Sequence, residues 1–261
     1  RLLGAVLAIA LVLTLRRNKF KEHITLVGEE KHLPYQRPPL SKGYLSGEVT
    51  LERVYMKTKE FFDQNDVAIF SSTQVISIDR NNKSLDLSNE ESLPYNRLVL
   101  ATGSRVRKLN VTGSHLNNIS YLRTIEEANK LREYFKFGKN LVIVGAGYIG
   151  LEVASTAIKK GLSVTVIEMA DRVMNRTVDP IISKYFDSLH RHNGVEIVLE
   201  AALEKFEGKD KVERVVCTNG LEFEADGVVI GAGILPNQEL AESAGLKCNN
   251  GILVDEYGQT E

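Results

Sequence analysis

Residues 140–168 (NLVIVGAGYIGLEVASTAIKKGLSVTVIE) restrict the fold more than any other stretch. The apolar run 141–144 meets glycine directly and reads as a strand buried on both faces. Gly145-Ala146-Gly147-Tyr148-Ile149-Gly150 follows as a G-x-G-x-x-G turn. Residues 151–160 then carry helical spacing, with Leu151, Ala154 and Ile158 on one side, and Gly161 stops them. A second, β-branched strand at 163–167 closes on Glu168, eighteen residues after Gly150. Each part has a physical reason. Gly145 makes the tight turn, Gly147 lets the backbone approach a pyrophosphate, and Gly150 lets the helix lie close on the sheet. The helix N-terminus offers partial positive charge to the phosphates. A carboxylate at Glu168 accepts from a ribose 2′-hydroxyl and repels a 2′-phosphate, which favours NAD(H) over NADP(H). The plainer alternative, a glycine-rich βαβ turn, leaves the acid at the second strand end unexplained.

With 261 residues the chain has room for two cores. The 33 basic and 34 acidic side chains nearly cancel, so there is no electrostatic footprint for nucleic acid. Cys217 and Cys248 stand far apart, which argues against a redox disulfide or a cysteine-rich metal site. His190-Arg191-His192 lies in a polar helical stretch and reads as a solvated face, so no metal is expected. The run 2–15 is almost wholly apolar, but a helix of that length spans ~21 Å, short of a ~30 Å hydrocarbon core, and no membrane span is expected. No credible export signal follows it, and the cytoplasm is the expected compartment. The run reads instead as a buried first strand and helix leading to the strand 23–28 and the acids Glu29 and Glu30. That repeats the βαβ–acid pattern with its glycines degraded.

Between the two units, residues 33–42 (LPYQRPPLSK) form a proline-stiffened path presenting Arg37 and Lys42. A short helix at 58–65 leads to a strand at 67–70. Strands around 74–78, 85–87 and Leu93 form an antiparallel meander. A buried strand at 98–100 runs into Ala101-Thr102-Gly103, and 105–118 reads as a crossing linker. Thr124 is placed to cap a helix at 125–135. Beyond Glu168 come a helix at 179–193 and strands near 195–199, 205–207, 212–218 and 227–230. A turn through Gly233, a short helix at 241–245 and a strand from 251 to 254 complete the chain.

Three of these segments, PYQRPPLSK, VLATGS and GAGYIGLE followed by VIE, resemble the FAD-dependent pyridine nucleotide oxidoreductases. Within that family the chain is most similar to the NADH-dependent ferredoxin and rubredoxin reductases and the related apoptosis-inducing factors. The resemblance implies an α/β fold with two Rossmann-like, doubly wound parallel sheets, the NAD domain inserted in the FAD domain, each with an antiparallel meander. Domain boundaries then fall at 1–118 for the first part of the FAD domain, 119–236 for the NAD(H) domain and 237–261 for a truncated return. It also implies the site residues. Glu29, with Glu30, would hold the FAD ribose; Arg37 would lie by the FAD pyrophosphate and Lys42 near flavin N5; Val75 and Arg107 would be further FAD contacts. Gly145, Gly147, Tyr148, Ile149 and Gly150 would cradle NADH, with Glu168 on its ribose and Arg172 or Arg176 nearby. Gly233 would turn beside the nicotinamide, and Glu152 would pair with Lys42. Read from the residues alone, Glu152 is equally a first-turn acid stabilised by the helix dipole.

The implied activity is hydride transfer from NADH to FAD, followed by electron delivery to a small iron–sulphur partner, a ferredoxin or rubredoxin. Two other readings stand beside it: an apoptosis-inducing-factor-like flavoprotein acting through protein association, and a non-enzymatic NAD-binding remnant. The chain departs from the family at both ends. Leu3, Ala5 and Ala8 stand where the first turn has glycines, for which a disturbed N-terminal reading frame is the simplest account. The family continues past Gln259-Thr260, so a fragment that binds FAD poorly is expected.

Overall fold

Five parallel strands form the largest sheet, in the spatial order Glu196–Val198, Ser163–Ile167, Asn140–Val144, Gly227–Ile230, Ile119–Ser120. The chain winds one way from Asn140–Val144 through the helix Tyr148–Lys159 to Ser163–Ile167, and places Gly227–Ile230 on the other side. That reversal makes a crevice at the carboxyl ends of the two central strands. The computed structural model describes residues 3–136 and 138–261. It divides into two compact units, one holding Arg37–Leu51 and Val106–Gly233, the other the residues up to Gln36 with Glu52–Arg105 and Ile234–Glu261.

In the unit built on the five-stranded sheet, the strands are as hydrophobic as a doubly covered sheet requires. Leu141, Val142 and Ile143 are all buried. One face packs on an antiparallel meander, Leu203–Glu207, Arg214–Cys217 and Glu222–Glu224. Val142, Val144, Ile167, Val228 and Ile230 from the sheet meet Phe206, Val215, Cys217 and Ala225 in a single core. Thr124 caps the helix Ile125–Arg132 in a complete capping box with Glu127, an arrangement that contributes about 1 kcal/mol. Asp179 caps Pro180–His192 through the Ile181 amide.

That last helix overturns one expectation. His190 is buried, because the helix turns Ser183 and His190 inward and leaves Ile181, Ile182, Tyr185 and Leu189 exposed. The neighbouring Arg191 and His192 are exposed, as a solvated face requires.

The other unit holds a two-stranded parallel sheet, Ile24–Val27 beside Val67–Phe70, and the meander Val75–Asp79, Ser84–Leu87, Ser92–Pro94. The helix Glu239–Ser243 packs on Val75–Asp79. The expected first strand and helix are a single helix, Leu3–Arg17. Leucine and alanine dominate this segment, no proline interrupts it, and its propensity is helical throughout. Ile9 and Val12 seal it against Phe62 and Val67. Arg16 in its last turn fixes the exit by donating to the carbonyls of Phe20, Glu22, Asn65 and Asp66. With residues 3–17 all helical, they supply no strand to the sheet. Residues 98–100, expected as a buried strand, pair with no neighbour among the described residues, and Val99 is exposed. The expected strand at 251–254 is reduced to one isolated bridge between Cys248 and Ile252, because Leu253 and Val254 face solvent.

Candidate functional site

The glycine turn sits at the reversal point of the five-stranded sheet, and its three glycines do different work. Gly145 has φ +102°, and a Cβ there would stand 2.8 Å from Gly231 O, because the ends of the two central strands close on each other at this point. A Cβ on Gly150 would collide with Gly145 O and reach to 3.3 Å from Ile143 Cγ2, so this glycine sets how closely helix and strand pack. Around Gly147 a Cβ would meet nothing within 4 Å, and this open ground is where the backbone can be approached. The first i→i−4 bond of the helix runs from Leu151 N to Gly147 O, which leaves the amides of Tyr148, Ile149 and Gly150 ahead of it. Tyr148 and Ile149 are themselves exposed beside that opening.

Glu168 faces the same turn. Its Oε2 accepts from Ala146 N at 2.8 Å and its Oε1 from Ala170 N at 2.9 Å. The carboxylate is thereby oriented at the mouth of the crevice with lone pairs left for a ribose diol. Arg172 is committed elsewhere, donating to the carbonyls of Val178 and Asn175 and so closing the following loop on itself. Arg176 is exposed. Gly233 has φ +97°, and its carbonyl accepts from Arg107 N at 3.0 Å, so these two positions are neighbours.

A second cluster forms on the fingerprint helix. Pro38–Ser41 is a 3₁₀ turn followed by the short helix Gly43–Ser46, and both pack against Tyr148–Lys159. Lys42 Nζ lies 2.6 Å from Glu152 Oε2, so the two candidate residues meet as an ion pair. Arg37 donates to Arg123 O. Ser41 and Thr156, which the sequence reading passed over, complete the cluster: Ser41 Oγ is 2.5 Å from the same Glu152 oxygen, and Thr156 Oγ1 is 2.8 Å from Ser41 O. The available signal was the spacing of Glu152 and Thr156, i and i+4 on one helix face.

The remaining candidates belong to the other unit. Glu29 is exposed just past the strand Ile24–Val27, whereas Glu30 accepts from Tyr35 Oη at 2.5 Å. Val75 opens the meander. The Ala101–Thr102–Gly103 turn is held by Asn237, whose Nδ2 donates to Thr102 O and whose backbone amide donates to Gly103 O. Gly4 lies against it, since a Cβ there would be 2.8 Å from Ala101 O.

These residues fit a dinucleotide fully at the fingerprint turn and a flavin dinucleotide in part. Gly147 gives open approach, the helix start gives amides, and Glu168 gives an oriented carboxylate that could accept from a ribose. Lys42 and Glu152 supply a cation and a carboxylate paired at 2.6 Å, the charges that the flavin side would need. The helix starting at Leu3 builds no comparable glycine cradle among the described residues, since Gly4 is taken up by the backbone of Ala101.

Comparison with known proteins gives the family. Residues 5–261 match the family described as pyridine nucleotide-disulphide oxidoreductase. Putidaredoxin reductase of Pseudomonas putida is 41% identical over 252 residues, which cover 94% of this chain and 60% of that protein. Rhodocoxin reductase of Rhodococcus erythropolis is 42% identical over 248 residues, covering 95% and 58%. The reductase in a covalent putidaredoxin reductase–putidaredoxin complex superposes with a TM-score of 0.93 at 40% identity, over 98% of this chain and 62% of that one. The chain therefore spans about 60% of the length of the curated relatives it matches. Cys217 and Cys248 are both free, so these two side chains form no disulphide with each other. With a match running over residues 5–261, almost its whole length, this chain belongs to the pyridine nucleotide-disulphide oxidoreductase family.

Proposed function

We propose that this chain is the nucleotide-handling part of an NADH-dependent flavoprotein reductase that passes electrons to a small iron–sulphur protein of the ferredoxin or rubredoxin kind. The observation that carries the reading is the Lys42–Glu152 pair on the fingerprint helix. A strand–turn–helix for dinucleotides serves many dehydrogenases, but phosphate binding needs no lysine held against the second residue after its last glycine. The names of the relatives, reductases of putidaredoxin and rhodocoxin, support the same acceptor class.

In this account Gly145–Gly150 take NADH, and Glu29 takes the adenosine end of FAD. The amides at the start of Tyr148–Lys159 receive the NADH pyrophosphate, with Gly147 keeping the approach clear. Glu168 accepts from the ribose hydroxyls and excludes a 2′-phosphate by charge. When bound, FAD supplies the two-electron acceptor for the hydride and the means of releasing electrons singly. Lys42 contributes positive charge toward that acceptor, and Glu152 keeps the ammonium oriented. Gly233, beside Arg107, leaves room for the nicotinamide. The compartment we assign is the cytoplasm, where NADH is supplied; among the described residues no helix is long and apolar enough to cross a membrane.

Titration of the chain with NADH and with NADPH, followed by nucleotide fluorescence, tests the reading. Saturable binding of NADH with NADPH at least ~10-fold weaker supports it, the factor corresponding to about 1.4 kcal/mol of discrimination. Equal affinity for both would remove Glu168 from the role given to it. A FAD-loaded chain that accepts hydride yet passes no electrons to an added ferredoxin would favour the association role instead.

A further inference from the structure

The pair Lys42–Glu152 is too open to hold itself in one geometry. Its side chains are 49% and 30% exposed, and an ion pair so placed is screened and contributes little. Yet one buried hydroxyl touches it, and a second holds the first in place. Ser41, only 1% exposed, brings its Oγ to 2.5 Å from the Glu152 oxygen that Lys42 also uses. Its other acceptor, Pro38 O, lies farther away at 3.3 Å, so the hydroxyl proton belongs to the carboxylate. Ser41 is held in turn by Thr156, whose Oγ1 lies 2.8 Å from Ser41 O and 3.0 Å from Glu152 O. Glu152 and Thr156 stand one helical turn apart, so Thr156 ties the 3₁₀ turn to the segment of helix that carries the carboxylate.

We infer that Ser41 is a positioning residue for this site: it fixes the Glu152 carboxylate, and through it Lys42, with Thr156 as the anchor that keeps Ser41 in reach. A hydroxyl donor on Oε2 removes the rotation by which an exposed carboxylate would otherwise release the ammonium to water. The use of this order, a cation held still beside the flavin, rests on the function proposed above. The order itself does not.

Lys139 supplies an internal control. It pairs with Asp226 at 2.8 Å with side-chain exposures of 48% and 30%, matching Lys42 and Glu152, and among the described residues that carboxylate takes the Asn140 amide and no serine hydroxyl. The experiment is competitive acetylation of the nucleotide-free 261-residue chain with limiting reagent, reading Lys42 and Lys139 by peptide mass spectrometry. Ser41→Ala is expected to raise labelling of Lys42 about fivefold, the factor for losing one ordinary hydrogen bond, and to leave Lys139 unchanged. Glu152→Gln should raise Lys42 as well, and adding Ser41→Ala to it should change nothing more, because the hydroxyl acts through that carboxylate. Thr156→Val should move Lys42 in the same direction, while Thr156→Ser, which keeps the hydroxyl, should label as the parent does. Should Ser41→Ala fail to fold, the Thr156 pair decides.

The inference is overturned by an unchanged Lys42 in Ser41→Ala, by Lys42 and Lys139 rising together, by effects of Ser41→Ala and Glu152→Gln that multiply, or by Thr156→Ser labelling like Thr156→Val. No flavin is present in this assay. A chain that fails to bind FAD would sink the proposed function without touching the positioning role.

Discussion

Replacing the second and third glycines of the turn by alanine separates the part of the fingerprint that serves the fold from the part that serves the ligand. At Gly150 the added methyl collides with Gly145 O, a backbone atom that cannot swing aside, and crowds Ile143 Cγ2. Overpacking of this kind costs about 1–3 kcal/mol, and a backbone obstacle puts it at the upper end. Alanine recovers about 1 kcal/mol of helix propensity, leaving a net loss of about 1–2 kcal/mol. At Gly147 the backbone is extended, with φ −79° and ψ −175°, a conformation that alanine adopts freely, and the methyl enters open space. Stability should therefore stay within about 0.5 kcal/mol. NADH affinity should fall, because the methyl occupies the approach to the pyrophosphate; displacing a charge-assisted contact of about 1.5–3 kcal/mol weakens binding by about 10- to 100-fold. Urea melts read the first effect as a shift in midpoint at constant slope, and NADH fluorescence titration reads the second. The reasoning fails if Gly147→Ala binds NADH as the parent does, or if Gly150→Ala melts at the parent's urea concentration.

Further consequences follow from single side chains. Glu168→Ala removes the acceptor on Ala146 N and Ala170 N together with the repulsive charge, so NADH should bind about 10-fold more weakly and the preference over NADPH should disappear in parallel titrations. Burial pushes the His190 imidazole below its ordinary value, with Asp187 partly opposing. Its contribution to stability is therefore full above about pH 6.5 and is lost as the pH falls through the lowered folded value. Urea midpoints should drop between about pH 7.5 and pH 5.5 in the parent, and less so in His190→Gln; equal slopes would refute the assignment. Asn237→Ala strips one side-chain donor from the Thr102 carbonyl and an acceptor from Arg105, and should cost about 1–2 kcal/mol in the same melts.

The fingerprint crevice was legible because its constraints are local. A short apolar run ending on glycine, three glycines at fixed spacing and an acid closing the next strand leave one arrangement of strand, turn and helix. The meander 75–94 was equally plain, since alternation and turn residues stand next to each other in the chain. Residues 3–17 were misread because a continuous apolar run has no period to tell a buried strand from a helix, and leucine–alanine propensity then decided. Residues 98–100 have strand composition, but a strand exists only beside a partner, and no partner is written in those three residues. His190 was hidden by its neighbours: the helix buries the polar residues Ser183 and His190 and exposes isoleucines, the reverse of what amphipathic reasoning expects. The Lys42–Glu152 pair came from resemblance rather than spacing, as more than a hundred residues separate its members. Ser41 carries no signal in the sequence, and Thr156 carries only its i, i+4 spacing from Glu152. Only the packing of the 3₁₀ turn on the fingerprint helix gives them a role.

The central claim of the function proposed above is that hydride from NADH in this crevice reaches a flavin. The visible absorption spectrum of the purified chain, held in an excess of FAD, tests it directly. The account predicts that NADH, added without oxygen, bleaches the flavin band faster than it bleaches free FAD, and more slowly with Lys42→Ala. A flavin band that NADH bleaches no faster than free FAD, in a chain that still binds NADH, would contradict it.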